Sequence, residues 1–149
     1  MARLEAEGYS FYFPTVKQFK ICNNKKEPTQ VPLFTGYIFV KVRSNEAETC
    51  LHFLPGTNGI LSIGGQKAYA TDAEIEVLDK ACRLRTPPEV VNEVIVGEPI
   101  TIKSGSLKGI TGIVKQIMNK HYIYIEIGTT GMNLKLNLSE SIVERALRR

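Results

Sequence analysis

The sequence predicts an α+β chain in two parts: an N-terminal antiparallel sheet with flanking helices, then a small five-stranded β-barrel. Three observations predict it. Arg85-Thr86-Pro87-Pro88-Glu89 is a seam, because a helix-like segment runs into two prolines. Proline lacks the helical donor and pushes the residue before it out of the helical region. Before the seam, apolar residues recur at helical spacing and a helix-start signature is present. After it, residues 94–149 fall into short alternating runs rich in Ile, Val, Thr and Gly, with no room for a helix. The expected organisation is residues 1–85, a connection over 86–93 and a barrel over 94–149.

Within the first part, residues 2–7 read as the tail of a helix ended by Gly8 in a left-handed position. Residues 10–20 alternate loosely around Pro14 and read as a strand. Residues 21–30 (ICNNKKEPTQ) are polar and turn-rich, and read as a hairpin loop. Residues 36–42 (GYIFVKV) are the strongest strand of this half. A helix follows from Ser44-Asn45-Glu46, with Ala47, Cys50, Leu51 and Leu54 at i, i+3, i+4 and i+7. Pro55-Gly56 ends it. A short strand over 59–63 meets a Gly64-Gly65 turn. Thr71-Asp72-Ala73-Glu74 has the spacing of a capping box. The helix behind it is expected to reach about residue 84 with Ile75, Leu78 and Cys82 inward.

The second part reads as strands over 94–96 into 98–102, then 111–117, 122–127, 134–138 and 142–145. Tight turns separate them at 104–109, 118–121 and 128–132. So many short strands favour a closed barrel, which hides its edges.

Composition narrows the function classes. The chain of 149 residues has 43% hydrophobic and 23% charged residues, ordinary for a soluble globular protein. Lys and Arg number 19 against 15 acids, a net charge of +4. Each half is +2 (11 bases and 9 acids over residues 1–88; 8 and 6 over 89–149), so neither is a basic arm. That balance tolerates nucleic acid nearby but lacks the dense basic stripe of a dedicated binder, and it argues against a ribosomal protein. Cys22, Cys50 and Cys82 are odd in number and widely spaced, which suits a reducing cytoplasm. With His52 and His121 alone beside them, no four-ligand metal cluster is expected. No apolar run approaches a membrane span of about 20 residues, and the start carries no secretory apolar segment.

Catalytic constellations are missing: there is no nucleophile elbow, phosphate-cradling loop, zinc-helix motif or dinucleotide fingerprint. Gly105-Ser106-Leu107-Lys108-Gly109 lacks the length and Lys-Ser/Thr pair of a phosphate loop and reads as a tight turn. Glu46, Glu48, Glu74, Glu76 and Asp79 read as solvated helix faces, His52 as a partly exposed helix residue and His121 as a solvated turn. An enzyme and a cofactor are therefore not expected. The run VPLFTGYIFV over 31–40 has two readings. It is a central strand buried on both faces, or it presents Tyr37, Phe39 and Lys41 on one face as an aromatic partner surface.

Residues 31–42 (VPLFTGYIFVKV) resemble the P-L-F-P-G-Y-[VIL]-F-V signature of the NusG N-terminal (NGN) domain. Leu54-Pro55-Gly56 and Gly64-Gly65-Gln66-Lys67-Ala68 followed by Asp72-Ala73-Glu74-Ile75 resemble later family segments. Residues 97–114 (GEPITIKSGSLKGITGIV) are similar to the KOW motif of its SH3-like barrel. Thr35 stands where the family usually has Pro, and Pro99 where it has a hydrogen-bonding strand residue, which predicts an edge or bulge there. The family also begins with a strand and helix ahead of the segment equivalent to residues 8–14. Here only the end of that helix is present, so the resemblance predicts an unpaired sheet edge and, through it, a strand-exchanged oligomer.

The resemblance implies a cytoplasmic transcription elongation or antitermination factor that binds the clamp helices of RNA polymerase and suppresses pausing. Carried over by position, Leu33, Phe34, Tyr37 and Phe39 would form the docking surface. Lys17, Lys20, Lys25 and Lys26 would sit on a hairpin near DNA, or be merely solvated. Leu107 and Ile110 would meet Rho or a small-subunit ribosomal protein if exposed, and would plug the barrel if buried. The polar hairpin and the Thr35 departure favour an operon-specialised member, of the capsular-polysaccharide kind, over a general one. A KOW-containing ribosome-associated protein is the remaining reading.

Overall fold

The computed structural model describes residues 1–128 and 130–138. Helix α1 (Ala2–Ala6) closes on Gly8, whose φ is +76°. Gly8 donates its N–H to the Glu5 carbonyl at 3.0 Å and Tyr9 donates to Leu4 at 2.9 Å, the paired bonds that finish a helix around a left-handed glycine.

The N-terminal strands pair in three two-stranded antiparallel units. Strand β1 (Ser10–Tyr12) pairs with β4 (Phe39–Lys41), Tyr12 opposite Phe39. Strand β4 is thus shorter than residues 36–42 suggested. Strands β2 (Thr15–Cys22) and β3 (Lys25–Pro32) form a long hairpin, in register from Thr15↔Pro32 to Cys22↔Lys25. The loop expected over 21–30 is really two residues, Asn23 and Asn24, at φ 49° and 59°. Asparagine tolerates that left-handed region, and two such residues match the twist of flanking strands. The polar sequence of β3 misled because most of its residues are exposed and no buried face imposes alternation. Strands β5 (Ser62–Ile63) and β6 (Gln66–Lys67) are joined by Gly64-Gly65, both at positive φ.

Helix α2 (Asn45–His52) is capped by Ser44, whose hydroxyl accepts from the Ala47 N–H at 3.1 Å. Its inward stripe is narrower than expected: Leu51 is buried but Cys50 is exposed. Helix α3 (Asp72–Cys82) opens on the expected capping box. The Glu74 N–H donates to the Thr71 hydroxyl at 3.2 Å, and the Thr71 N–H donates to the Glu74 carboxylate at 2.7 Å.

Past the double proline, β7 (Glu89–Val91), β8 (Pro99–Thr101), β9 (Thr111–Ile117), β10 (Lys120–Ile127) and β11 (Met132–Leu138) form one antiparallel sheet in the order β7-β11-β10-β9-β8. Glu89–Val91, inside the expected connection, supplies an edge strand by pairing with β11. Residues 94–96 form no strand, and Val94 and Val96 are exposed. The strand expected over 142–145 lies outside the described residues. Pro99 sits on edge strand β8, as its missing N–H requires. The β9–β10 turn is Met118-Asn119, so His121 lies in β10 rather than in a turn.

One apolar cluster runs through both parts. It joins Phe34 and the α3 residues Leu78 and Ala81 to Ile102, Ile123, Ile127, Leu134 and Leu136 of the C-terminal sheet. Close approaches mark the same junction. A Cβ placed on Gly128 would lie 3.6 Å from a Glu74 carboxylate oxygen, and one on Gly131 would lie 3.9 Å from Ile63 Cδ1. α3 is therefore packed between the N-terminal strands and the sheet beyond the seam.

Candidate functional site

The segment 33–39 turns a corner between β3 and β4. The Leu33 N–H donates to the Pro14 carbonyl at 2.8 Å, which fixes the chain as it leaves the hairpin. Phe34 is only 4% exposed and lies edge-on to Phe39, ring centroids 6.0 Å apart at 72°. Phe39 also faces Tyr12 at 6.4 Å. Such tilted pairs add to what burial alone contributes. Leu33 and Phe39 are half-buried against the core, whereas the Tyr37 ring is exposed. The structure thus gathers Leu33, Phe34 and Phe39 on one apolar cluster, with Tyr37 at its exposed rim.

Lys17, Lys20, Lys25 and Lys26 are all exposed on the β2–β3 hairpin, where Glu27 is the lone acid. Strand alternation puts Lys17, Phe19 and Ile21 on one face, with Gln30, Pro28 and Lys26 as cross-strand partners. Phe19 is 64% and Ile21 72% exposed, so that face is a solvent-facing apolar stripe between lysines.

The turn over 104–109 is drawn shut by bonds from the Gly109 N–H to the Ile102 carbonyl at 2.8 Å and from the Ile102 N–H to the Ile110 carbonyl at 2.9 Å. Leu107 and Ile110 point inward and are buried in the core. They fill the end of the sheet rather than face solvent.

Two clusters were not foreseen. Glu48, expected on a solvated face, is 6% exposed. Its carboxylate pairs with Lys67 and accepts from the Tyr69 hydroxyl at 2.9 Å, tying α2 to β6 and the segment after it. Hydrogen bonds from Lys67 and Tyr69 hold it below the usual carboxylate range, against the opposing effect of burial. The Lys67 ammonium is raised in turn, chiefly by its hydrogen bond to Glu48. No local pattern around Glu48 signals this, because its partners come from β6 and the segment after it, 19 and 21 residues away. Secondly, Tyr12 on β1 meets Cys82 at the end of α3. Burial raises the Tyr12 phenol well above its usual range. Burial likewise raises the Cys82 thiol, while the Tyr12 hydrogen bond pulls it down and Asp79 pushes it up. Among the described residues, no group of three or more His, Cys, Asp or Glu could hold a metal, and no helix is long and apolar enough to cross a membrane.

The family described as "Transcription termination factor nusG" matches residues 1–79, more than half of the chain. The chain belongs to the NusG family. Among solved structures it is similar to a chain described as "Domain interaction in Thermotoga maritima NusG", at 22% identity and a TM-score of 0.50. That similarity covers 95% of this chain and 83% of the Thermotoga chain, so the fold likeness extends past the seam into the KOW-like sheet. No curated protein matches in sequence. Membership places the chain among transcription factors of the NusG kind and agrees with the resemblance carried by residues 31–42.

Proposed function

We propose that this NusG-family chain is an elongation and antitermination factor, specialised for particular operons. It docks on the clamp helices of RNA polymerase and suppresses pausing or termination by holding the clamp shut, without covalent chemistry, cofactor or metal. The observation that carries this reading is the corner over 33–39. Two helices need an apolar, aromatic-rimmed surface on their partner, and here Tyr37 stands exposed beside the Phe34–Phe39 pair. In this reading Tyr37 makes first contact, while Leu33, Phe34 and Phe39 shape the surface from beneath. The hairpin bearing Lys17, Lys20, Lys25 and Lys26 faces DNA in the elongation complex.

The division into a docking domain (1–85), a connection (86–93) and a KOW domain (94–149) accompanies this reading, with Glu89–Val91 extending the KOW sheet back into the connection. The KOW domain recruits Rho or a small-subunit ribosomal protein. Leu107 and Ile110, being buried, serve that contact by holding the turn over 104–109 in shape. The protein works in the cytoplasm, where polymerase and nascent transcript are. Capture of RNA polymerase by the immobilised chain tests the docking surface. Tyr37→Ala and Phe39→Ala are expected to weaken capture, with circular dichroism unchanged. Full capture by both folded variants would overturn the assignment.

A further inference from the structure

Eight asparagines occur in the chain, and Asn58 is the one that a glycine follows. The pair Asn58-Gly59 lies in the loop after helix α2, and Asn58 is exposed. The backbone is held on either side of it. Before it, the Thr57 N–H and the Thr57 hydroxyl both donate to the Leu54 carbonyl, at 3.1 and 2.8 Å. After it, Gly59 takes a φ of +94° and lies against the His52 imidazole. A Cβ placed on Gly59 would meet His52 Cε1 at 3.0 Å and Nδ1 at 3.1 Å. The imidazole is itself set edge-on to Phe53, with ring centroids 5.4 Å apart. Among the described residues, the Gly59 N–H donates to no backbone carbonyl. A side-chain amide, a backbone nitrogen left out of the ladder and a titratable ring therefore meet in one short loop.

The geometry points to Asn58 as a site of self-modification, where the chain converts its own asparagine to an acid with His52 as the base. The Gly59 backbone nitrogen attacks the Asn58 side-chain carbonyl carbon and a C–N bond forms. The Gly59 N–H proton passes to the His52 imidazole, which returns a proton to the amide nitrogen as it leaves as ammonia. The product is a five-membered succinimide. Water opens it at either carbonyl, giving aspartate at 58 or the isomer in which the backbone runs through the side chain. Glycine matters because any other residue would set a Cβ beside the attacking nitrogen and against His52, in a backbone conformation that side chains resist. An imidazole is the side chain whose proton exchange is matched to neutral pH. The Asn23-Asn24 turn is as exposed, but a residue with a side chain follows each of those asparagines. Each converted chain gains one acid, so its formal net charge falls by one from +4. The isomer also gains a backbone carbon between α2 and β5. The loop thus records the age of each chain, independently of where the protein docks.

Incubation of the full chain in warm neutral buffer, followed by peptide mass mapping, tests it. The mass increase of amide-to-acid conversion is expected at Asn58 ahead of every other asparagine, as separable aspartate and isoaspartate peptides. Asn58→Gln, whose longer side chain must close a larger ring, is expected to stay unconverted. His52→Ala removes an exposed ring and leaves the core intact. It is expected to slow conversion about tenfold, since an exposed base delivers less than the ~10²-fold of a fully aligned one. Free imidazole is expected to restore rate to His52→Ala more than it speeds the wild type, which a merely structural role for the ring would not produce. In concentrated urea, where the loop is undone, wild type and His52→Ala are expected to convert alike. Faster conversion at another asparagine, or an Asn58 that converts more slowly in the folded chain than in urea, overturns the site. Equal rates for folded wild type and His52→Ala, or no rescue by imidazole, overturns His52 as the base.

Discussion

Tyr12 and Phe39 stand opposite each other across the β1–β4 pair, their rings 6.4 Å apart. Through Phe39 the phenol side chain joins the aromatic corner proposed to dock on polymerase. Through its hydroxyl it meets Cys82 at the end of α3. One side chain thus links the aromatic corner to the end of α3.

Burial holds the Cys82 thiol above its usual range, and the Tyr12 hydroxyl works against it. Its hydrogen bond favours the thiolate, whereas burial and Asp79 oppose it. Tyr12→Phe removes the bond and keeps the ring, so the thiol pKa rises further and less thiolate is present at any given pH. Alkylation of Cys82, followed in a Cys22→Ser, Cys50→Ser background, is expected to slow in the Tyr12→Phe variant between neutral pH and about pH 8.5, near the usual thiol pKa. Equal or faster alkylation would show that the hydroxyl does not govern the thiol.

Glu48, Lys67 and Tyr69 make stability depend on pH in a defined sense. The Glu48 pKa is depressed on folding, so its contribution is present above the unfolded-chain value of about 4.3 and is lost as pH falls through the lower folded value. The Lys67 pKa is raised, so its contribution is complete below the unfolded value of about 10.4 and is lost as pH rises through the higher folded value. Glu48→Gln is expected to melt below the wild type at neutral pH and to lose less on acidification. Parallel melting curves across the acid range would remove Glu48 from the account.

Gly112 is required by a close approach rather than by its torsion. A Cβ there would lie 2.5 Å from the Tyr124 carbonyl oxygen and 2.7 Å from Ile123 Cγ1. The oxygen belongs to the neighbouring strand and cannot swing aside as a side chain would. Gly112→Ala is expected to destabilise the protein by about 1–3 kcal/mol, the usual cost of overpacking. A urea midpoint at or above that of the wild type would mean β9 and β10 separate easily there.

Much of this was legible in the residues. Thr71 and Glu74 announced α3 because a capping box is local chemistry, and Pro87-Pro88 announced the seam because proline acts on its immediate neighbours. The hairpin was misjudged because its outer part, residues 17–28, is exposed on both faces, and alternation reports only half-buried strands. Glu48 was misjudged for a different reason. Its partners arrive from β6 and the segment after it, whose docking on α2 is a tertiary event, invisible to helical periodicity. Leu107 and Ile110 sit in a motif that fixes a turn, and the motif does not say which side of the turn is inward. The corner over 33–39 was legible as aromatic, but its division into buried Phe34 and exposed Tyr37 needed the fold.

Leu78 tests whether the two parts stand or fall together. It is fully buried on α3, in one cluster with Phe34 on one side and Ile123 and Leu134 on the other. Leu78→Ala leaves a cavity at that junction, with an expected cost of about 2–5 kcal/mol. For a chain of this size that corresponds to a fall in melting temperature of roughly 4–20 °C. Because the cluster is continuous, the loss must be felt on both sides of the seam. Calorimetry is expected to give one transition for the wild type. Hydrogen exchange at the Ile123 and Leu134 amides is expected to speed up in the variant together with that of α3. Two separate transitions, with exchange in the C-terminal sheet untouched by Leu78→Ala, would mean that α3 and the sheet beyond Pro88 pack without sharing stability. Polymerase docking at the corner would then be independent of the KOW sheet. A shared transition instead makes any partner that grips the sheet beyond the seam also a partner that acts on the Phe34 corner.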